Sequence, residues 1–213
     1  PAPATGVTSV CVGSTTTLSS ADAGGTWTSS TTTVATIGSV NGIVTGVASG
    51  NTIITYMLAT GCYNLTTVTV NPLPAAITGT TTVPVGYTTT LSDATAGGVW
   101  SSNDITVASI GSADGIVTGV ATGSTLIIYL LPTGCYVTTN MVVGAPVPPI
   151  TGTTTICVGS TTTLSHATSG GTWSSSDITV ATISTGGVVT GLSAGTVTIC
   201  LLYTSDAADD TPC

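Results

Sequence analysis

Three observations predict an all-β chain built as tandem antiparallel β-sandwiches. The first is repetition: Gly24-Gly25-Thr26-Trp27 returns as Gly97-Gly98-Val99-Trp100 and as Gly170-Gly171-Thr172-Trp173, with the three tryptophans spaced 73 residues apart. One tryptophan per module is the simplest account of such a period. The second is composition: the chain has no Lys, Arg or Phe, and Thr, Ser, Gly, Val and Ala dominate. Strand formers are therefore abundant and most strong helix formers absent. The third is punctuation, because turn residues cut each module into short alternating runs with no helical period.

In the first module the runs fall at residues 7–12, 15–20, a strand centred on Trp27, then 34–37, 43–47, 52–58 and 63–70. Gly13-Ser14, Ala23-Gly24-Gly25, Asn41-Gly42, Gly50-Asn51 and Ala59-Thr60-Gly61 separate them. Asn-Gly between short apolar runs is a strong hairpin signal. Seven short strands without a helical period specify an immunoglobulin-like two-sheet sandwich, with a single Trp on the third strand as its core marker. The same plan recurs with Asp114-Gly115 for Asn41-Gly42 and Gly134-Cys135-Tyr136 for Gly61-Cys62-Tyr63. Proline-rich segments, Asn71-Pro72-Leu73-Pro74 and Ala145-Pro146-Val147-Pro148-Pro149, cannot continue a central strand and are stiff. They divide the chain into repeats at 1–74, 75–149 and 150–199 and suggest a rod. A module of this size buries only about 60% of its unfolded surface, and its net stability is about 4 to 7 kcal/mol.

The third module stops resembling its siblings near residue 199. Back-translated, residues 200–209 can be written tgtctcttatacacatctgacgctgccgac, which resembles the adapter of transposon-based sequencing libraries. The segment 200–213 is accordingly expected to be a non-native tail that leaves the third module truncated. Leaving out Asp206, Asp209 and Asp210 changes the formal charge from −8 to −5.

Composition also narrows function. With no basic side chain, nothing displaces the counterions of a nucleic acid or holds an anionic membrane surface. The longest apolar run, residues 126–132, is too short to cross a bilayer. The chain begins at Pro1 without Met and reads as an internal fragment, so the missing leader says nothing about secretion. Low charge, abundant hydroxyls and Cys at repeat-related positions favour an oxidising, extracellular setting.

The order Val-Gly-(Ser/Tyr)-Thr-Thr-Thr-Leu, Trp-(Ser/Thr)-Ser-(Ser/Asn), Val-Ala-(Thr/Ser)-Ile and Gly-(Ile/Val)-Val-Thr-Gly-(Val/Leu) covers about residues 7 to 199 in three copies. It resembles the bacterial immunoglobulin-like domain, group 2, found as tandem repeats of intimin-like and invasin-like surface proteins. The resemblance implies stalks, spacers and adhesive repeats of a bacterial cell-surface or secreted protein, with no catalytic residue and no cofactor. It does not supply a ligand, because adhesion in that family usually sits in a terminal domain.

No catalytic constellation stands against that reading. The single histidine, His166, falls where the siblings have Ser20 and Asp93, a variable strand end, and is expected to be a bystander. Hydroxyls without a neighbouring base are sheet surface rather than nucleophiles. Asp22, Asp93, Asp104, Asp114 and Asp177 are single acids on different turns; calcium wants several converging oxygens, so turn capping is the expected role and no metal site is assigned. Asn64-Leu65-Thr66 is a lone glycosylation sequon, expected to be idle in a bacterial protein. Trp27, Trp100 and Trp173 could line a sugar-stacking face, but each sits between a Gly turn and a Ser-Ser turn on the strand a sandwich buries. All three are expected inside.

The cysteines carry the most chemistry. Cys11 and Cys62 recur as Cys157 and Cys135, while module two has Pro84 at the first position. Three arrangements stay open: a bridge within module one from Cys11 to Cys62, a bridge across a junction such as Cys11 to Cys135, or free and intermolecular thiols. The first is the obvious one, but those cysteines fall at opposite ends of a sandwich. A strand of about seven residues at ~3.3 Å each separates them by more than ~20 Å, where a disulfide needs Cα atoms within about 7 Å. The absence of any CxxC pair removes zinc.

The expected function is a spacer presenting a distal domain, with the other domains of a larger polypeptide as its partners. The competing expectation is an adhesive module that grips carbohydrate or a host surface protein through Thr-rich faces or loops.

Overall fold

A computed structural model describes residues 1–168 and 170–203 of the chain. The chain forms two compact units, Pro1–Pro146 and Val147–Cys213. The described residues contain strands, turns and bends but no helix.

Repeat one lies in the first unit and has eight strands: β1 (Thr5–Gly6), β2 (Ser9–Cys11), β3 (Thr15–Ser19), β4 (Thr26–Ser29), β5 (Ala35–Ile37), β6 (Ile43–Gly46), β7 (Gly50–Met57) and β8 (Tyr63–Asn71). They form two four-stranded sheets in the orders β1-β3-β6-β5 and β2-β8-β7-β4. Leu18, Ala35 and Val44 from the first sheet meet Val10, Trp27, Ile54, Tyr56, Val68 and Val70 from the second in one core. Along β7 the buried residues Thr52, Ile54 and Tyr56 alternate with more exposed ones, the period of a half-buried strand.

The sequence predicts one strand over residues 7–12, and the chain makes two. Thr5–Gly6 pairs antiparallel with β3, and Ser9–Cys11 then crosses to the other sheet and pairs parallel with β8, Cys11 opposite Asn71. Gly6 permits the crossing: its φ is +126°, and a Cβ there would meet the Thr17 carbonyl oxygen at 2.3 Å.

Repeat two follows as β9 (Thr82–Pro84), β10 (Thr88–Thr90), β11 (Val99–Ser102), β12 (Ala108–Ile110), β13 (Ile116–Gly119), β14 (Gly123–Leu130) and β15 (Tyr136–Gly144). Its sheets are β10-β13-β12 and β11-β14-β15-β9, and a single bridge, Thr78 to Ser92, stands where β1 meets β3 in repeat one. Pro84 ends the edge strand β9, a place where a residue without N–H is tolerated. Met141 and Val143 of β15 close the core, as Val68 and Val70 do in repeat one.

The second unit contains repeat three, with β16 (Thr161–Thr163), β17 (Thr172–Ser175), β18 (Ala181–Ile183), β19 (Val188–Gly191) and β20 (Ile199–Leu202). They form a β16-β19-β18 sheet and a β17-β20 pair. Among the described residues nothing stands where β8 and β15 close the other repeats. The buried core is correspondingly small, Leu164, Ala181 and Val189, with Trp173 only partly buried against it.

Trp173 thus departs from the expectation of three interior tryptophans, for two reasons. No last strand is present among the described residues, and the β-partner of Trp173 is Leu201 where Trp27 and Trp100 have Tyr56 and Tyr129. Cys200, Leu201 and Leu202, assigned from sequence to a non-native tail, lie in β20; the rest of that call, residues 204–213, lies outside the described residues.

The contrast gives a graded expectation. Trp100→Ala is expected to cost the first unit ~3 to 5 kcal/mol, the range for emptying a buried aromatic site, and Trp173→Ala is expected to cost the second unit clearly less. Urea denaturation of the full chain followed by circular dichroism checks this, and equal losses would contradict it.

Candidate functional site

The repeated Gly-Gly-x-Trp segment is a corner clamped by a tyrosine. In repeat one Gly24 takes a φ of +82°. The next N–H, of Gly25, donates to the Tyr56 hydroxyl at 2.9 Å, and that hydroxyl donates to the Asp22 carbonyl at 2.6 Å. The Tyr56 ring lies tilted against Trp27, centroids 4.5 Å apart, within the range of favourable aromatic pairs. A Cβ on Gly25 would come within 2.4 Å of that ring. The two glycines therefore serve different needs, one a turn and the other room for an aromatic face. Repeat two reproduces the corner: Gly98 N–H to Tyr129 at 3.0 Å, Tyr129 to the Thr95 carbonyl at 2.6 Å, and Trp100 to Tyr129 at 4.6 Å.

In repeat three a different tyrosine takes over. Tyr203, two residues beyond Leu201, brings its hydroxyl to the Thr168 carbonyl and within 2.6 Å of His166 Nδ1. His166 Nδ1 accepts from Thr168 N–H at 3.1 Å, and Nε2 lies 2.6 Å from the Pro148 carbonyl, the geometry of an Nε2–H tautomer donating there. The equivalent side chains Ser20 and Asp93 accept from the N–H two residues on in the same way, at 3.3 and 2.7 Å. His166 is held as a turn cap by backbone and a phenol.

The Ser-Ser pair after each Trp also has a role that periodicity does not reveal. Ser29 donates to the Ala35 carbonyl at 2.7 Å and shares a hydrogen bond with the buried Thr52 hydroxyl at 3.0 Å. Thr52 in turn accepts from Thr31 N–H at 3.1 Å. Thr125 receives Asp104 N–H at 2.9 Å in repeat two, and Ser175 donates to the Ala181 carbonyl at 2.7 Å in repeat three. Each hydroxyl supplies a partner for backbone at the turn that follows the Trp strand.

The carboxylates are turn chemistry. Asp104 accepts from the Thr106 hydroxyl at 2.6 Å and its N–H at 2.9 Å, and Asp177 does the same with Thr179. The hydroxyl bond first, then the N–H, hold both carboxyls below their ordinary value of 3.8. Asp114 accepts from Ile116 N–H as Asn41 does from Ile43 N–H, each at 3.1 Å. Among the described residues no group of three or more His, Cys, Asp or Glu could hold a metal ion.

The feature with functional consequence is the junction between repeats one and two. Cys11 is bonded to Cys135, with Cα atoms 5.6 Å apart across 124 residues of sequence. Parallel pairing puts Cys11 beside Asn71, where repeat one ends. Cys62 precedes the start of β8, nine residues of strand and roughly 30 Å away at ~3.3 Å per residue. The intra-module bridge from Cys11 to Cys62 is therefore replaced by the bridge across the junction. Of the four candidate cysteines, Cys62 and Cys157 are free and exposed. Around the bond the junction is dry: Cys135 is fully buried and Leu131 nearly so, whereas their counterparts Cys62 and Leu58 are exposed and half-buried. In the chain-entropy account a closure of this length stabilises by ~5 kcal/mol.

Residues 145–213 match the family model of the bacterial Ig-like domain, group 2. The match covers the third repeat. The two earlier Ig-like repeats share its Gly-Gly-x-Trp corner and its strand pairing. Comparison with curated proteins gives no match. Among solved structures, the chain is similar to the C-terminal 282-residue fragment of intimin in complex with the intimin-binding domain of the translocated intimin receptor, at 16% identity and a TM-score of 0.42 over 70% of this chain and 65% of that one. It is also similar to invasin, described as a bacterial integrin-binding protein, at 16% identity and a TM-score of 0.38 over 93% of this chain and 55% of that one. Domains 4 and 5 of the S-layer protein SbsC align at 22% identity and a TM-score of 0.28 over 62% of this chain and 82% of that one. The chain spans less than two thirds of the length of the intimin fragment and of invasin.

Two outcomes are expected of the Ig-like corner and its caps. Gly25→Ala and Gly98→Ala should each destabilise the first unit by about 1 to 3 kcal/mol, the range for overpacking. Gly171→Ala, whose Cβ meets the end of the flexible Leu201 side chain, should cost less; chemical denaturation reads all three. Asp104 and Asp177 have folded values below the unfolded one, so their caps are fully stabilising above the ordinary carboxylate range and are lost as pH falls through the depressed value. A carboxyl NMR titration should place both midpoints below 3.8, and Thr106→Val should move Asp104 upward. Midpoints at or above 3.8 would remove the cap assignment.

Proposed function

We propose that these Ig-like repeats are a non-catalytic spacer of a bacterial cell-surface or secreted protein, dividing at residues 74 and 149 and holding a distal domain of the same polypeptide away from the cell. The observation that carries the proposal is the Cys11–Cys135 bond. A spacer must keep its direction while its ends are pulled or jostled, and flexion between sandwiches is the default when only a short linker joins them. A covalent bond beside the linker restrains that hinge without enlarging either core. Disulfides also persist in the oxidising surroundings of a cell surface. No helix among the described residues is long and apolar enough to cross a membrane.

Small-angle scattering of the full chain before and after reduction tests the hinge. Reduction, and separately Cys11→Ser, is expected to broaden the distribution of intramolecular distances, and an unchanged distribution would remove the spacer's stiffening device. The spacer reading also expects the immobilised chain to capture nothing on glycan arrays or host-cell extracts. Specific capture of a carbohydrate or host protein would replace it with the adhesive reading.

A further inference from the structure

The two free cysteines sit at the same turns as the two that are joined, although Cys11 also lies in a strand paired with β8 and Cys157 lies in none. Cys62 follows a turn in which Leu58 N–H donates to the Cys62 carbonyl at 2.9 Å and Gly61, with φ +83°, donates to the Leu58 carbonyl at 2.9 Å. Cys135 follows the same turn: Leu131 N–H to the Cys135 carbonyl at 2.8 Å, and Gly134, φ +85°, to the Leu131 carbonyl at 2.9 Å. On the other half of the bond, Ser14 N–H donates to the Cys11 carbonyl at 3.0 Å and Gly13 N–H to the Gly46 carbonyl at 2.9 Å. Cys157 repeats this with Ser160 N–H at 3.0 Å, and Gly159 N–H meets the Gly191 carbonyl at 2.8 Å. The exposed Cys62 is thus the equivalent of the bonded Cys135, and the exposed Cys157 the equivalent of the bonded Cys11.

We propose that Cys62 and Cys157 are the complementary open halves of a head-to-tail disulfide site, each built to accept the opposite cysteine of another Ig-like repeat. The joined pair defines the rule: a cysteine at the exit of one repeat bonds to the cysteine in the final hairpin of the next. Cys157 takes a final-hairpin cysteine, and Cys62 takes an exit cysteine. Leu58, half-buried where its counterpart Leu131 is buried, is the apolar floor that the incoming repeat covers. The rule stands on the Cys11–Cys135 geometry and goes beyond the spacer reading, since it names the chemistry by which arrays lengthen.

The bond forms by thiol–disulfide exchange with a small disulfide such as oxidised glutathione. One cysteine thiolate attacks it, forms a mixed disulfide and releases one glutathione thiolate. The second cysteine thiolate then attacks the protein sulfur of that mixed disulfide and releases the second glutathione. Two protein thiols are oxidised and one glutathione disulfide is reduced to two thiols.

A second copy of the chain supplies the probe. The full chain is equilibrated in a glutathione redox buffer, separated on a non-reducing gel, and the multimer bands are mapped by mass spectrometry. Head-to-tail pairing predicts that Cys62–Cys157 peptides in the multimers rise well above about half of all links, the share that random pairing gives over Cys62–Cys62 and Cys157–Cys157 together. Cys62→Ser and Cys157→Ser should each abolish that cross-link while Cys11–Cys135 persists, which also reports that the first unit is folded. Random shares, a dominance of like-with-like pairs, mixed glutathione disulfides alone, or a Cys62–Cys157 link confined to monomer would each overturn the proposal. The spacer reading survives any of those, since it rests on the scattering change and not on this cross-link.

Discussion

The parallel pairing of β2 with the end of β8 is the constraint on which the rest depends. A strand that stayed in the first sheet would leave Cys11 buried in the run of one sandwich. By crossing after Gly6, the chain brings residues 9–11 alongside residues 69–71 and carries Cys11 to the place where repeat one gives way to repeat two. The final hairpin of repeat two then presents Cys135 at that same place. Strand direction, and not proximity in sequence, selects the partner.

Within each sandwich the Trp corner performs the complementary task of closing one end of the β4-β7 pair or its equivalent. Its economy lies in the tyrosine, whose ring packs on tryptophan, whose edge demands a glycine, and whose hydroxyl both accepts an N–H and donates to a carbonyl. Where the register puts Leu201 in that position, the hydroxyl of Tyr203 reaches the corresponding carbonyl from just beyond β20 and lies beside His166 Nδ1. The corner survives, but the tryptophan is left partly open and the core below it shrinks to three buried residues.

Much of this was legible in the residues. The period of 73, the Asn-Gly and Asp-Gly turns, and the alternation along β7 fix strands and repeats, because turn chemistry and a period of two are local. The extra strand Thr5–Gly6 and the transfer of residues 9–11 to the other sheet were not legible, because they depend on whether the third or the last strand offers open backbone. Tyr56 and Tyr129 were passed over because tyrosine in an alternating strand looks like any half-buried residue; the signal available was their fixed distance from the glycine pair. Thr52 and Thr125 were hidden among many surface threonines for the same reason. The disulfide was narrowed by strand length but not chosen, since sequence does not say which end of a sandwich faces its neighbour.

The bond at the junction is also the most exposed point of the account, because the stiff-spacer reading and the extension rule both descend from it. Non-reducing peptide mapping of the oxidised full chain addresses it directly. The account predicts that the peptide containing Cys11 is joined to the peptide containing Cys135, with Cys62 joined to neither of them. A Cys11–Cys62 link would contradict it.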